Sequence, residues 1–486
     1  MSATPASLAD VPPVKTDAQP KALTTLFFAE MWERFSYYGM RALLVLYLVN
    51  AAGYTRSDAL ILYGTYTGLV YLSPVLGGYV SDRYLGYRKA ILAGGLIMML
   101  GHFAMAIPAL LHLALGLLVV GNGLFKPNIT TFLGTFYGAQ DPRRDGGFTI
   151  FYMGINLGAF LAPLVAGTLG EKVGWHWGFA SAGVGMGFGL LQFWLGRSRL
   201  GTGGFPPGQS TLTARDGLHV LAMALAAVGG LLALFQLWPL IAPVWAMVPL
   251  LLRVAVPLAL VFLLLRDVRR QDGHDAMQQV LAILVLAVFV IAFWTGFEQA
   301  GGTMSLFADK QTDRHVFGWL MPASYFQTIN PLTILLLAPL FSLFWTRLDR
   351  SRWALSTPAK MATGMIILGL GFALLYVAQQ RASAIGPVAP FWLAGVYVLH
   401  TIGELCLSPI GLSMVTKLAP VRVGALLMGV WFIANGVAGY LSGILESLLA
   451  TSGLPLFGVL VVSSIGAGLL LLLLTPVLRG WMHGRG

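Results

Sequence analysis

Long apolar runs separated by short polar segments dominate the pattern of the chain. There are fourteen such runs, most of them about 20 residues or longer, which is the length of helix that crosses a ~30 Å hydrocarbon layer. Six runs precede a Gly-, Pro- and Ser-rich break, two follow it, and six more follow the basic stretch RDVRRQDGHD. The predicted spans are 23–49, 59–82, 89–111, 113–138, 147–170, 174–196, 217–238, 244–265, 276–306, 322–346, 358–380, 389–416, 421–449 and 454–479. This pattern predicts an all-α polytopic membrane protein with 14 transmembrane helices.

The order of six, two and six spans predicts the domain organisation. Two helical bundles are separated by a linker that carries an inserted pair of helices. No short apolar core with a small-residue cleavage site precedes the first span, so a cleaved signal peptide is not expected. The predicted domains are an N-terminal tail (1–22), an N-terminal six-helix bundle (23–196), a linker with two inserted helices (197–275), a C-terminal six-helix bundle (276–480) and a C-terminal tail (481–486).

Composition and charge support a membrane protein and predict its orientation. The chain is 57% hydrophobic and only 10% charged, whereas a soluble domain is about 25% charged. With the N-terminus inside, 21 of the 30 Lys and Arg residues fall in cytoplasmic segments, as the positive-inside rule requires. Both termini are therefore expected in the cytoplasm, and the net charge of +11 reflects topology and not a nucleic-acid surface. The five predicted outside are Arg56, Lys172, Lys310, Arg314 and Arg381.

The first span carries a polar stripe on an otherwise apolar helix. The spacing places its residues within roughly a 140° arc of a 3.6-residue helix. A charge at mid-membrane costs at least about 2.5–3.5 kcal/mol on translocon scales, so the stripe is expected to face a partner or a wet cavity. The alternative is a salt-bridged stripe that only holds helices together, which needs fewer polar groups. The stripe consists of Glu30, Glu33, Arg34, Tyr37, Tyr38 and Arg41.

Three further spans each carry one ionisable residue well inside the apolar run: Lys126, Glu298 and Glu404. Because they come from both bundles, they predict a central wet site between the two halves. An acid that gains and loses a basic partner also gains and loses its proton. Glu298 would be paired with Arg41 or Lys126 while ionised and protonated when that pair opens, which is the physical form of a proton-coupled gate.

Aromatic and amide residues in the spans are candidates for the walls of this site. Asn156 and Asn330 would form hydrogen bonds there, although interhelical bonds worth about 0.6 kcal/mol are an equal alternative for both. Glu446 lies near a span end and is expected to reach the interface. Arg253, in the second inserted helix, has no functional explanation. The aromatic candidates are Tyr37, Tyr38, Tyr71, Trp294 and Trp431.

Six segments in chain order resemble the motifs of one family. EMWERFSYYG resembles the ExxERFxYYG motif of the proton-dependent oligopeptide transporters, a branch of the major facilitator superfamily. The second segment is similar to the superfamily motif between the second and third helices. The fourth matches the second family signature, FYxxINxG. The six are EMWERFSYYG (30–39), GGYVSDRYLGYRK (77–89), GNGLFKPN (121–128), FTIFYMGINLGAF (148–160), FWTGFEQ (293–299) and GELCLSPIGLS (403–413).

The resemblance implies a major facilitator fold, and bacterial members of the family have two extra helices between the bundles. It implies a proton-coupled symporter that imports di- and tripeptides by alternating access across a bacterial inner membrane. The expected partners are peptides, protons and the lipid bilayer, with the chain acting as a monomer. No metal or organic cofactor is implied, since the proton is the coupling ion.

The resemblance also implies roles for the matching residues. Arg41 and Lys126 would hold the C-terminal carboxylate of the peptide. Glu404, with Asn156 and Asn330, would hold its N-terminal ammonium. Adaptable side-chain pockets would be lined by Tyr37, Tyr38, Tyr71, Trp294, Ser408 and Trp431. Proton coupling and gating would fall to Glu30, Glu33, Arg34, Lys126 and Glu298.

Two alternatives remain beside this interpretation. A related carrier of nitrate, a drug or a modified amino acid predicts loss of the acids in the first span, and these acids are present. An intramembrane hydrolase needs HExxH, clustered histidines or a GxSxG elbow, none of which the sequence contains, so the chain is not expected to be an enzyme. The chain has Gly64 where animal members of the family carry a histidine, which shifts proton coupling to the carboxylates.

Overall fold

The computed structural model describes residues 18–138, 141–201, 203–205, 214–247, 250–450 and 452–484. These ranges contain fourteen long helices and one short one, which confirms the predicted all-α class. They are α1 (Lys21–Asn50), α2 (Arg56–Val80), α3 (Gly86–Met105), α4 (Leu111–Gly134), α5 (Arg144–Ala162), α6 (Trp175–Leu195), α7 (Ala214–Met247), α8 (Leu250–Gln271), α9 (His274–Phe297), α10 (Thr303–Lys310), α11 (Ile329–Asp349), α12 (Thr357–Ile385), α13 (Pro390–Leu418), α14 (Gly424–Ala450) and α15 (Leu456–Trp481).

Short elements join these helices. A two-stranded antiparallel hairpin is formed by β1 (His315–Val316) and β2 (Trp319–Leu320). Wide helical turns cover Ser81–Leu85, Pro163–Gly167 and Leu169–Val173. Tight 3₁₀ turns cover Pro108–Leu110, Gly196–Leu200, Glu298–Gly301 and Ala323–Thr328.

Local sequence explains where several helices begin and end. The Thr55 hydroxyl accepts a hydrogen bond from the Asp58 amide at 3.1 Å and so caps the start of α2. Pro390 opens α13, a position at which its missing N–H costs nothing. Gly386 ends α12 with a φ of 94°, which residues with a side chain rarely adopt. Turn chemistry therefore sets these boundaries within the apolar pattern.

The N-terminal half consists of α1–α6. Helix α1 packs against α5 and α6, while α2 and α3 pack against α4. Glycines permit very close approach, as a β-carbon on Gly77 would lie 1.9 Å from the carbonyl oxygen of Gly123. Such small-residue contacts are typical of helices in bilayers, where apolar attraction between helices is weak.

The C-terminal half consists of α9–α15. Helix α12 packs against α13 and α15, α9 against α14 and α15, and α11 against α13. The inserted pair lies outside both halves, with α7 against α4 and α8 against α9. Their large apolar side chains are exposed, for example Leu221, Leu225 and Leu260. A lipid-facing position accounts for this exposure, because exposed apolar surface of this extent is not found on soluble monomers.

Eleven helical segments in the described part of the chain are long and apolar enough to cross a membrane. Helices α2 and α3 form one such segment, since the turn between them is itself helical. Helix α1 is not among the eleven because charged residues interrupt its apolar sequence. Most of those charges are buried inside the protein, which explains how this helix takes the same depth as its neighbours.

The structure differs from the sequence prediction in the span 276–306. We predicted one continuous helix, but α9 ends at Phe297 and a 3₁₀ turn leads through Gly301 to α10. Side chains are excluded at this point, because a β-carbon on Gly301 would lie 2.0 Å from the Tyr63 hydroxyl. Glu298 therefore occupies a helix break, a position that membrane carriers use for coupling ions and substrates.

The two halves meet mainly at one end of the molecule, which we call the distal end: the end where α1 stops and α2 begins. The contacts join α2 with α14, α5 with α11, and α1 with α10. A β-carbon on Gly64 would lie 2.6 Å from the α-carbon of Gly443. A side chain at position 64 would therefore collide with the backbone of α14 in this closed state.

Candidate functional site

A cavity of about 190 Å³ lies between the two halves. This volume is below the roughly 300–1,000 Å³ that is typical of sites for drug-sized ligands, so the cavity suits a small solute. Its walls come from α1 and α5 on one side and from α9, α11, α13 and the turn Ala323–Thr328 on the other. Five predicted site residues line it: Tyr38, Arg41, Asn156, Asn330 and Glu404.

Arg41 and Glu298 form a buried ion pair that joins the two halves. Their side chains are 9% and 2% exposed, and Arg41 Nη2 contacts the Glu298 carboxylate directly. Arg41 Nε also donates to the Tyr63 hydroxyl at 2.8 Å, and the Tyr71 hydroxyl donates to Glu298 at 3.2 Å. Breaking a buried pair by removing one partner costs about 3–5 kcal/mol, so this contact holds the halves together only while both groups are charged.

A second charged cluster lies entirely within the N-terminal half. Glu30 accepts from Lys126 Nζ at 2.7 Å and lies 3.4 Å from Arg34 Nε, while Arg34 Nη2 donates to Glu33 at 2.6 Å. Two acids thus share two cations, and the cluster is neutral. The other carboxylate oxygen of Glu30 has no hydrogen-bond partner in the described part of the chain. This oxygen can accept a further hydrogen bond.

Glu404 differs from the other membrane-embedded acids because only neutral groups hold it. Asn330 Nδ2 donates to its carboxylate at 2.8 Å and also approaches the Thr401 hydroxyl at 3.0 Å. Within the described residues, no Lys or Arg forms an ion pair with Glu404. The carboxylate faces the cavity from the C-terminal half and is therefore placed to bind a cationic group supplied by a ligand.

The geometry matches that of known proteins over nearly the whole chain. A family model described as "PTR2: POT family" matches residues 88–457. The chain belongs to the POT family. The "Uncharacterized transporter YclF" of Bacillus subtilis is 37% identical over 486 residues, which cover 96% of this chain and 95% of the relative. The "Peptide transporter YePEPT" of Yersinia enterocolitica is 36% identical over 485 residues, with 95% of each chain covered.

A solved structure of a POT peptide transporter shows the same fold. This crystal structure, of a mutant in complex with alafosfalin, has a TM-score of 0.83 at 38% identity and covers 98% of this chain and 99% of that one. The predicted resemblance and the predicted major facilitator fold with two inserted helices are thereby confirmed.

The structure places other predicted residues of this POT-family chain beside the cavity and not in its lining. Tyr37 is buried against Tyr38 and lies under the Arg34 guanidinium, 5.1 Å from the ring centroid. Trp294 packs edge-on against Phe297, and Trp431 is buried. Tyr71 reaches Glu298 as described above. The side chain of Ser408, like that of Arg253, lies outside the part that the structure describes.

The two predicted asparagines form bonds of different kinds. Asn156, which lines the cavity, donates from Nδ2 to the Tyr152 carbonyl oxygen of its own helix at 3.0 Å. Asn330 joins α11 to α13 through Glu404 and Thr401, so the interhelical role that we kept as an alternative is present for this residue. The two roles are compatible, because the same bond orients the Glu404 carboxylate.

Sequence reasoning missed several residues of the cavity wall. Tyr152 and His400 line it, as do Gln327 and Tyr397. Tyr152 lies within the FYxxINxG segment, and His400 precedes Glu404 by one helical turn, so helical spacing could have indicated both. Gln327 lies in a turn outside every motif, and no signal in the sequence pointed to it. In the described residues, no group of His, Cys, Asp and Glu side chains is arranged to hold a metal ion.

Proposed function

We propose that this chain is a proton-coupled symporter that imports di- and tripeptides by alternating access. The observation that carries the proposal is a small cavity with a cation on one half, Arg41, and on the other an acid, Glu404, that has no cationic partner among the described residues. The two end charges of a zwitterion are complementary to these two groups. A peptide bridging the two groups would be recognised by its termini and its length, whatever its side chains.

Proton coupling follows from competition at the carboxylate end. Arg41 is held by Glu298 and Lys126 by Glu30. A peptide carboxylate must displace these acids, and a protonated acid no longer competes. Proton uptake by Glu298 or Glu30 would therefore release a cation for the substrate, and peptide release would let the acid lose its proton and reform the pair. Glu33 and Arg34 complete the charge balance around Glu30.

The ammonium end would be formed by Glu404 with the amides of Asn156 and Asn330. Tyr38 lies between the two ends and, with the buried aromatic residues Tyr37, Tyr71, Trp294 and Trp431, would shape the side-chain pockets once the halves rearrange. Ser408, which lies in the segment GELCLSPIGLS, is also proposed to line these side-chain pockets. A ligand that contacts both halves binds the occluded state best, and this difference in affinity drives the conformational change.

Membrane orientation follows from the charge bias of the loops. We place the chain in a bacterial inner membrane with both termini in the cytoplasm, so that the distal end faces outward and is closed in this structure.

The protein would act as a monomer without a metal or organic cofactor, and without catalytic activity. A carrier of another small solute is the second candidate, since the cavity admits any zwitterion of suitable length.

Selection by length is the first prediction, and it tests the proposal directly. Residues of an extended peptide add about 3.3–3.6 Å each, so free alanine is too short to bridge Arg41 and Glu404 and tetra-alanine too long to be enclosed. We expect di- and tripeptides of varied sequence to compete with labelled dialanine for uptake into proteoliposomes under an imposed pH gradient. Alanine, tetra-alanine and nitrate should not compete. Competition by nitrate or alanine as strong as that by dialanine would favour the second candidate.

Glu404→Gln is the second prediction. The substitution keeps the shape of the side chain and one acceptor oxygen but removes the charge that the ammonium would contact. Affinity for dialanine is expected to fall roughly tenfold or more, since charge-assisted hydrogen bonds contribute about 1.5–3 kcal/mol. N-acetyl-dialanine, which has no ammonium, should bind wild type and variant equally weakly. Calorimetry on purified protein measures the affinity for both peptides. An equal loss of affinity for dialanine and N-acetyl-dialanine in the variant would exclude an ammonium-binding role for Glu404.

A further inference from the structure

A buried contact at the distal end joins the two halves through a side chain outside every motif. Glu171 lies in the turn Leu169–Val173 that follows α5, and its side chain is 10% exposed. Its two carboxylate oxygens accept hydrogen bonds from the backbone amides of Ala323 at 2.7 Å and Ser324 at 2.9 Å. These amides begin the turn that leads into α11 of the C-terminal half. One anionic side chain thus satisfies two backbone donors across the interface.

Neighbouring groups extend the same contact. The Thr168 hydroxyl lies 2.7 Å from the Tyr325 hydroxyl, again across the two halves. Arg314 Nη1 is 3.6 Å from the Glu171 carboxylate. Gly167 is packed so closely that a β-carbon there would lie 2.1 Å from the Ser324 hydroxyl oxygen. We call Glu171, Thr168, Tyr325 and the Ala323–Ser324 backbone the distal latch.

A second ion pair between the halves at this end provides a contrast. Arg56 and Glu446 contact each other at 2.6 Å, but their side chains are 47% and 29% exposed. Exposed pairs contribute little because water and salt screen them. The Glu171 side chain is only 10% exposed, so its two hydrogen bonds to backbone amides and its contact with Arg314 are screened less than the exposed pair. Of these two contacts, the distal latch should therefore dominate closure.

We propose that Glu171 is a gating residue that sets the balance between the distal-closed and distal-open states. The inference rests on the proposed alternating access but not on the identity of the cargo. Glu171 lies away from the cavity lining and contacts no residue placed in the binding or proton site. Its contribution to closure is therefore the same with or without substrate, and it acts on transport only through the population of the open state.

Accessibility of the cavity from each face measures this population. The natural Cys406 is buried, and in a Cys406→Ala background Ile155→Cys places one reporter thiol in the cavity wall. Right-side-out and inside-out vesicles are treated with a membrane-impermeant maleimide, without substrate. Adding Glu171→Gln should raise the labelling rate in right-side-out vesicles about tenfold, which corresponds to about 1.4 kcal/mol. Gln keeps the size of the side chain but turns one acceptor into a donor that opposes an amide N–H.

Glu446→Gln is the matched control, because it makes the same chemical change in the exposed pair at the same end. It should leave labelling within twofold of the parent, and Glu171→Asp should restore most of the closure. Tyr325→Phe, which removes only the hydroxyl bonded to Thr168, gives a second variant if Glu171→Gln folds poorly. Unchanged labelling in Glu171→Gln and Tyr325→Phe, or an equal rise in Glu446→Gln, would overturn the proposal. A rise in labelling rate confined to inside-out vesicles would support the distal latch and contradict only the proposed membrane orientation. If the peptide competition experiment failed, the labelling result would still hold, because it does not depend on the cargo.

Discussion

Glu298→Gln is expected to abolish accumulation of dialanine against its gradient while leaving counterflow exchange largely intact. Glutamine imitates the protonated acid in shape and charge, so Arg41 is released permanently and remains available to the peptide carboxylate. Exchange needs only binding and rocking of the halves. Net accumulation needs the acid to gain and lose a proton in each cycle, and Gln cannot do so. Both activities are measured in the same proteoliposomes, with and without an imposed pH gradient.

The control for this experiment is Glu446→Gln, which neutralises an exposed acid of the same half and should accumulate dialanine normally. Glu298 is buried in a helix break and contacts two groups of the opposite half, so a folding defect must be separated from a coupling defect. A variant that retains counterflow exchange is folded and binds substrate, so its loss of accumulation is a coupling defect. Normal accumulation by Glu298→Gln would show that the coupling proton is carried elsewhere, with Glu30 as the next carboxylate to test.

Removal of the Arg41 guanidinium is expected to weaken dialanine binding by a factor of a hundred or more. The loss of one partner from a buried charge pair costs about 3–5 kcal/mol, and each 1.4 kcal/mol is a factor of ten. Arg41→Ala alone would also leave Glu298 buried without its partner. The informative protein is therefore the double variant Arg41→Ala/Glu298→Gln, compared with Glu298→Gln, because neither leaves a carboxylate at position 298 without its cationic partner.

Dialanine amide separates ligand binding from structural effects in this comparison. It lacks the carboxylate that Arg41 would hold, so its affinity should differ little between the double variant and Glu298→Gln. Calorimetric titration of both peptides against both proteins provides the four constants of a thermodynamic cycle. Equal losses for the free acid and the amide would assign Arg41 to the gate alone. The same design applies to Lys126→Ala/Glu30→Gln, whose ion pair is also a cation held by one acid.

Most of the fold could be predicted from the sequence because bilayer thickness dictates helix length. Each predicted span contains a helix, although the span 276–306 is divided between α9 and α10. The Gly- and Pro-rich break after α6 and the basic stretch before α9 marked the inserted pair. The stripe on α1 also predicted buried charge, since a bilayer does not tolerate four charged groups on one helix unless they face the interior. Hydropathy and charge can be read directly along the sequence, and the helix positions and the buried charge of α1 depend mainly on these two properties.

The remaining features depend on contacts between segments far apart in the chain. At the end of the helix break after Phe297, Gly301 lies so close to Tyr63 of the opposite half that a β-carbon there would lie 2.0 Å from the Tyr63 hydroxyl. Gln327 reaches the cavity only because the turn before α11 lies against α5. Glu171 lies just after a predicted span, and its contact with the backbone amide of Ala323 depends on how the two halves pack. The choice between Arg41 and Lys126 as the partner of Glu298 required the same three-dimensional information, and the structure pairs Glu298 with Arg41.

The contact between Gly64 and Gly443 gives the rocking motion a fixed mechanical end point. Backbone meets backbone there, so no rotamer change or repacking can draw the two halves closer, and no titratable group adjusts the fit. The closest approach of α2 and α14 at this point is thus limited by two residues that do not line the cavity. A larger residue at either glycine would keep the two helices slightly further apart at this contact. Because the helices are rigid, we expect this displacement to reach the cavity wall and to change the size of cargo that the cavity accepts.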